Sequence, residues 1–282
     1  MLLPRMAAMS EVQWTQPEKK DYANFLERLP QLLNLYDKEA YNYAKHIYDI
    51  EISLKSDHDA KSIDVEFNTA SKLPIYYTLD GSEPSASSIR YNGAFSVKER
   101  TAIKAASFTN DIISSKVFSE KVKFSKSTFK PITLLTNADS NYKYDGAPLL
   151  VDGLHGNRNY RTGRWIGFLG NDLVAVIDLL APTEISTIDF RTNVETGSWI
   201  FDAEEIIVEA SNDNKSFETL LSKKGFNTKS KQWQGIENHH YDFDATTARY
   251  FKVTIKPLPK MPVWHSGKGR RAFVFVDEIE LN

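Results

Sequence analysis

Five segments in the second half of the chain most narrowly limit what it can fold into: "DLVAVIDL" (172–179), "EISTIDF" (184–190), "AEEIIVEAS" (203–211), "ARYFKVTI" (248–255) and "AFVFVDEIEL" (272–281). Each is short and rich in Val, Ile, Phe and Tyr, and the loops between them carry Gly, Asn, Asp and Pro. Runs of this kind, with no helix of ordinary length interrupting them, close into an antiparallel sandwich or barrel. The whole chain has 282 residues, more than the roughly 250 that a single hydrophobic core usually organises, so several domains are expected.

A second strand-rich region precedes this one. "LPIYYTLDGSEP" (73–84) is a strand closed by the turn pairs Asp80-Gly81 and Glu83-Pro84, and "TAIKAASF" (101–108) and "KVFSEKVKF" (116–124) add further strands. Strands this short, with turns between them over about 75 residues, point to a small antiparallel sandwich. The polar stretch "SKSTFK" (125–130) separates the two regions. Upstream of both, the pattern is helical. Leu2, Met6, Met9 and Gln13 to Trp14 follow a spacing of three to four, and Thr15, Pro17 and Glu18 have the character of a cap and first turn. Tyr22, Phe25, Leu26, Leu29, Leu33 and Tyr36 then make one apolar stripe in which Pro30 is expected to kink or restart the helix. The expected domains are therefore 1–48, helices from the end of a larger domain; 49–126, a small antiparallel sandwich; and 127–282, a second and unrelated sandwich. The fold class is mainly β.

Composition narrows the chemistry. With 35 Lys+Arg against 37 Asp+Glu the formal charge is −2, which gives no general attraction for nucleic acid or an anionic membrane. No Cys is present, so disulfides, thiolate metal sites and a Cys nucleophile are excluded. No apolar run approaches the roughly 20 residues that span a bilayer. His239 and His240 are neighbours and point apart on a strand, which suits no paired metal site. "GKGRR" (267–271) is a compact basic loop that reads as a solvated turn rather than a phosphate or nucleic-acid site, its glycines lacking a strand-to-helix setting.

Three stretches, in this order, resemble parts of one known assembly. "LPRMAAMSEVQWTQPEKKDYANFLERLPQLLNLYD" (3–37) resembles the last barrel helix and its continuation in family 20 glycoside hydrolases, the β-N-acetylhexosaminidases. "IYYTLDGSEPS", "YNGAFSV" and "TAIKAASF" resemble the small Ig-like domain that follows that (β/α)8 barrel in many bacterial members. "LLVDGLHGN", "GRWIGFLGNDLVAVIDL", "SWIF", "IIVEASNDNKSF" and "FVDEIEL" resemble a discoidin-type, or family 32, carbohydrate-binding module, a jelly-roll β-sandwich. The resemblance implies the C-terminal part of an exo-acting hexosaminidase that removes GlcNAc or GalNAc from glycan ends, secreted, periplasmic or at the cell surface of a bacterium. Its partners would be the upstream barrel and glycans ending in GlcNAc, GalNAc or galactose. The family's catalytic carboxylates sit mid-barrel in a glycine-preceded Asp-Glu pair. Here Asp277-Glu278 follows a Val at the end of a strand, so no catalytic residue is expected and the chain alone is read as non-enzymatic. The alternative is that both sandwiches only brace or space a neighbouring domain.

The same resemblance implies a structural calcium ion held by Asp152, Asn157 and Glu278, with the carbonyls of Leu149 and Tyr160. A hard ion taking six to eight oxygens suits two carboxylates, an amide and carbonyls of a tight loop; the other reading of Asp152 is a turn former before Gly153. For the sugar, a flat aromatic and a few polar groups on end loops are needed. Trp264 and His265 in "PKMPVWHSGKG" are the first candidates and Trp199 in "TGSWIF" the second, with Arg161, Asn193 and Arg270 as hydrogen-bonding neighbours. Trp264 and His265 have the alternative of packing on a neighbouring domain. Trp165, followed by Ile and Phe, reads as core.

Overall fold

Alternating apolar positions drive the strands, and the computed structural model describes residues 2–225 and 233–282. The chain divides into two compact units: residues 1–57 with 62–122, and residues 58–61 with 123–282.

The first unit begins with two helices, α1 (Arg5–Trp14) and α2 (Tyr22–Lys38). Thr15 does not cap α2. Its N-cap is Asp21, whose carboxylate accepts from Asn24 N at 3.1 Å, while Pro17–Lys19 forms a separate 3-10 turn. Pro30 does not end the helix either: α2 continues through it, and Leu29, Leu33 and Tyr36 on the same stripe are buried with Tyr43. The cost of one missing backbone donor is outweighed by burying that face, worth about 1.5–3 kcal/mol per large side chain. Eight strands follow: β1 (Glu51–Asp57), β2 (Ser62–Asn68), β3 (Ile75–Thr78), β4 (Ile89–Arg90), β5 (Phe95–Val97), β6 (Thr101–Thr109), β7 (Ile112–Ile113) and β8 (Phe118–Val122). They form a sheet β1-β2-β5 and a sheet β4-β3-β6-β7, with β8 also paired to β6, all antiparallel. Phe67, Tyr77 and Phe95 pack together between them, the last two rings stacked at 4.6 Å.

The second unit contains β9 (Ile132–Leu134), β10 (Ile166–Leu169), β11 (Leu173–Glu195), β12 (Glu205–Ser211), β13 (Glu218–Lys224), β14 (Gln234–Lys256) and β15 (Phe273–Leu281). The strand order is β10-β15-β11-β14-β12-β13, and β9 pairs β11. The segments 172–179 and 184–190, expected as two strands, lie in one. β11 and β14 pair along their length with shifts of register at 178/183 and 185/187. One half of that long pair is flanked by β9 and β12, the other by β15. The pair thus belongs to both layers of a β-sandwich, and between the layers lie Leu173, Ala175, Ile177, Phe190, Ile206, Val208, Phe251, Val253, Val274 and Val276. Asp178, at the first shift, accepts from Leu180 N at 2.8 Å, and Leu180 takes φ +70°. Among the described residues no helix is long and apolar enough to cross a membrane.

Candidate functional site

Thr196 sits in the turn after β11 that ends at Trp199, and two further segments close on it. Its carbonyl accepts from Trp199 N at 3.1 Å and lies 2.7 Å from His265 Nε2. Its N–H and its hydroxyl both donate to Trp233 O, at 3.1 and 3.2 Å, and its Oγ1 accepts from Trp233 N at 3.0 Å. The loops carrying Trp199, Trp233 and Trp264 are therefore tied at one point. Since Gly267 N donates to His265 Nδ1 at 2.9 Å, the imidazole proton belongs on Nε2, where it donates to Thr196.

The tryptophans differ in exposure and fit. Trp165 is wholly buried, as expected of core, with Nε1 donating to Asn157 O at 2.8 Å. Trp264 is 36% exposed and Trp233 39%. One side of Trp264 rests near Phe201, with ring centroids 6.2 Å apart. Trp199 is half-buried and takes φ +68°, a left-handed conformation costly for a bulky residue. It is held there by Trp199 N on Thr196 O and by Phe273 N donating to Trp199 O at 2.9 Å. The guanidinium of Arg270 lies 5.4 Å from the centroid of its ring.

Two of the expected sugar contacts have other work. His265 is 7% exposed and both its ring nitrogens are engaged inside the protein, so it fixes the loop that presents Trp264. Asn193 is 1% exposed, its Nδ2 donating to the carbonyls of Asn157 and Arg158 at 3.3 and 3.2 Å. Its position on β11 points it inward, which ties the 157–161 loop down instead of offering an amide to solvent. Arg161 and Arg270 are exposed, Arg161 lying over Tyr160 at 5.0 Å. Trp233 has no motif around it in the sequence; only its pairing with Thr196 places it at this end.

The expected metal ligands are brought together in part. Glu278 is buried and accepts from Asp152 N and Gly153 N, each at 3.1 Å, while Asp152 accepts from Leu154 N at 2.8 Å and has Arg164 Nη1 at 3.4 Å. Burial and the charge of Asp152 hold the Glu278 acid well above the ordinary carboxylate range. Asp152 and Glu278 are two buried acids of the oxygen-donor kind a hard cation takes, but among the described residues no group of three or more Asp, Glu or His side chains able to hold a metal ion is present. Leu149 and Tyr160 are buried on either side of the same loop. Asn157 is exposed and its Oδ1 accepts from Asn159 N at 2.9 Å, an Asx turn that leaves its amide facing the loop. Asp277, the other half of the Asp-Glu pair, accepts from Gly156 N at 2.9 Å and is paired with Arg191. Gly156 has no room for a side chain: a Cβ would come within 2.2 Å of Trp165 Nε1. The Asp-Glu pair is therefore a buried brace between β15 and this loop. His155 Nε2 is 3.2 Å from Glu280 and its Nδ1 is 3.7 Å from Asp277.

Comparison with known proteins bears on both units. A family model described as Fn3 associated matches residues 64–122, and the F5/8 type C domain model matches residues 131–272. No curated protein matches. Among solved structures, a fucose-binding module of Streptococcus pneumoniae is 20% identical, covering 56% of this chain and 94% of that one with a TM-score of 0.37. Chitosan-binding module 1 of a chitosanase/glucanase from Paenibacillus sp. IK-5 is 14% identical, with coverage of 56% and 98% and a TM-score of 0.36. SpGH29 is 12% identical with a TM-score of 0.37; the match covers 56% of this chain and only 27% of that one. With the F5/8 type C model spanning half of its 282 residues, this chain belongs to the F5/8 type C domain family.

Proposed function

We propose that the second unit binds glycan through the end of its sandwich that carries Trp199, Trp233 and Trp264. The observation that carries this is the convergence of the segments bearing Trp233 and Trp264 on Thr196 in the turn that bears Trp199, which holds aromatic surface at the loop end by fixed backbone and imidazole bonds. Flat, partly exposed rings on loops of a rigid sandwich match the apolar C–H face of a pyranose. The sugar-binding relatives among the F5/8 type C modules support the same reading. The chain is then the accessory, non-catalytic segment of an exo-β-N-acetylhexosaminidase acting outside the cytoplasm, with GlcNAc, GalNAc or galactose ends as ligands. Support for that parent is the order of helices, small sandwich and discoidin-type unit; the Asp277-Glu278 pair, buried in its brace, offers no general acid.

A calcium ion on Asp152 and Glu278 belongs to this proposal, as a structural ion that offsets two buried charges. Melting of the metal-depleted chain with calcium and with excess chelator tests it; identical midpoints remove the ion. Sugar binding is tested with the full chain on a glycan array and by calorimetry, beside Trp264→Ala. Binding that falls at least about tenfold in the variant, the scale of losing one buried aromatic anchor, is the expected result. Unchanged binding defeats the assignment of Trp264, and no binding to any glycan favours a bracing role.

A further inference from the structure

The basic stretch 267–271 is not a loose turn. Gly269 N donates to Met261 O at 3.0 Å, and Met261 N to Arg270 O at 2.9 Å. Arg270 N bonds Gly267 O and Lys268 N bonds His265 O, each at 2.9 Å. Gly269 takes φ +78°, and a Cβ on Gly267 would lie 2.6 Å from Met261 Cε. The loop is thus closed on itself and pinned to Thr196 by His265, so the cations it carries are held in place rather than free to sweep through solvent.

Those cations gather at the tryptophan-bearing end. Arg270 stands over Trp199. From the facing loop, Arg161 stands over Tyr160, whose ring packs with Ile200, the neighbour of Trp199. The Arg158 carbonyl is held by Asn193, two residues before β11 ends. Arg158, Arg161, Lys268 and Arg270 are all exposed. Elsewhere in the unit several cations are paired with acids: Arg249 with Asp178 at 2.8 Å, Lys252 with Glu209 at 2.8 Å, Lys256 with Glu205 at 3.0 Å. The segments 157–161, 196–199 and 262–270 contain no Asp or Glu, and Glu195, which ends β11, accepts from Gln234 Nε2 at 2.6 Å. These three segments therefore bring Arg158, Arg161, Lys268 and Arg270 to this end without a carboxylate of their own.

We infer that this surface selects saccharides carrying a carboxylate or a sulfate, the pyranose face resting on Trp264 and the acid group taken by Arg270 with Arg161 beside it. The inference rests on the glycan-binding reading of the same loops. Arginine and lysine side chains are donors only, so a rim built from them is best satisfied by a ligand that is all acceptor, and a guanidinium fork fits the paired oxygens of either acid group. Stacking on Trp199 and Tyr160 holds the two forks ready, which lowers the ordering cost of binding.

Calorimetry on the full chain with galacturonic acid trimer and neutral galactose trimer, and with GlcNAc-6-sulfate and GlcNAc, tests this and separates the two acid groups. An acidic member is expected to bind about tenfold more tightly than its neutral counterpart, the scale of one hydrogen bond to a charged group. The gap should narrow between about 50 and 500 mM salt, as screening shortens the reach of the charges. Arg270→Gln, with its melting temperature checked, should bring acidic and neutral forms to equal affinity, and Arg161→Gln should narrow the gap. Equal affinities in the unsubstituted chain, or an acidic preference that survives both substitutions, overturns the inference while leaving glycan binding in place. Failure of every sugar overturns both readings. Binding to phosphatidylserine vesicles with no response to any sugar would instead make this end a membrane contact, and overturns both as well.

Discussion

At Trp199 two demands meet in one residue: a broad aromatic ring is presented from a backbone conformation that favours glycine. Ala and Gly substitutions both remove the ring but treat the backbone differently. Trp199→Gly is therefore expected to be more stable than Trp199→Ala by about 1 kcal/mol, because only the alanine keeps the left-handed penalty. Urea unfolding of the two variants checks it; equal stabilities would mean the turn relaxes out of the left-handed region. Both should lose sugar binding. Single residues were also where the sequence was least informative. Trp264 and Trp165 were legible, one from a Pro- and Gly-bounded loop and the other from its strand context. His265 carries the same loop signal as Trp264 yet turns inward, because what distinguishes them is a carbonyl 69 positions away in the chain. Trp233 owes its place to the same distant residue.

Elements follow local pattern wherever burial alternates, and depart from it where tertiary bonds override a local break. Strands β3, β6, β8, β11, β12, β15 and the end of β14 were visible as β-branched and aromatic runs, whereas β1, β2, β9 and β13 were not. Ala181-Pro182-Thr183 looks like a loop, yet β11 continues across it by shifting register against β14. Pro30 similarly stays inside α2. On β15 the acidic run Asp277-Glu278-Glu280 meets Arg191 of β11 and His155, and this carries a pH dependence. Burial works against the His155 charge, but Asp277 and Glu280 outweigh it and raise the imidazolium to a pKa of about 9. A group raised in the folded state stabilises fully below its unfolded value and loses that contribution as pH climbs through the folded one. Stability should thus fall between pH about 6.5 and 9, by on the order of 2–3 kcal/mol. Unfolding of His155→Gln across the same interval should be flatter than that of the parent chain; curves of equal slope would assign the dependence elsewhere.

At the scale of the molecule, the mainly β fold class could be read from the chain, while three regions were expected where the structure has two compact units, and the assembly of the site could not be read. Its loops leave the sandwich at four separate places in the sequence, 157–161, 196–199, 233 and 262–270, and only the pairing of β11 with β14 and β15 makes them neighbours. The strand order also governs when this unit can exist. β15 lies between β10 and β11, so the strand of this unit that is made after all the others fills an interior slot. Until residues 273–281 emerge, β10 and half of β11 present unpaired edges over an open apolar face, which are templates for pairing with other chains. Synthesis that stops before Phe273 should therefore yield insoluble product even though nearly every loop residue is present, and restoring only the nine residues of β15 as a peptide during refolding should recover soluble protein. A soluble, cooperatively melting truncation would show that the sandwich closes without it. For a nascent unit of this design, the interval before β15 emerges is the time at which it depends on chaperones.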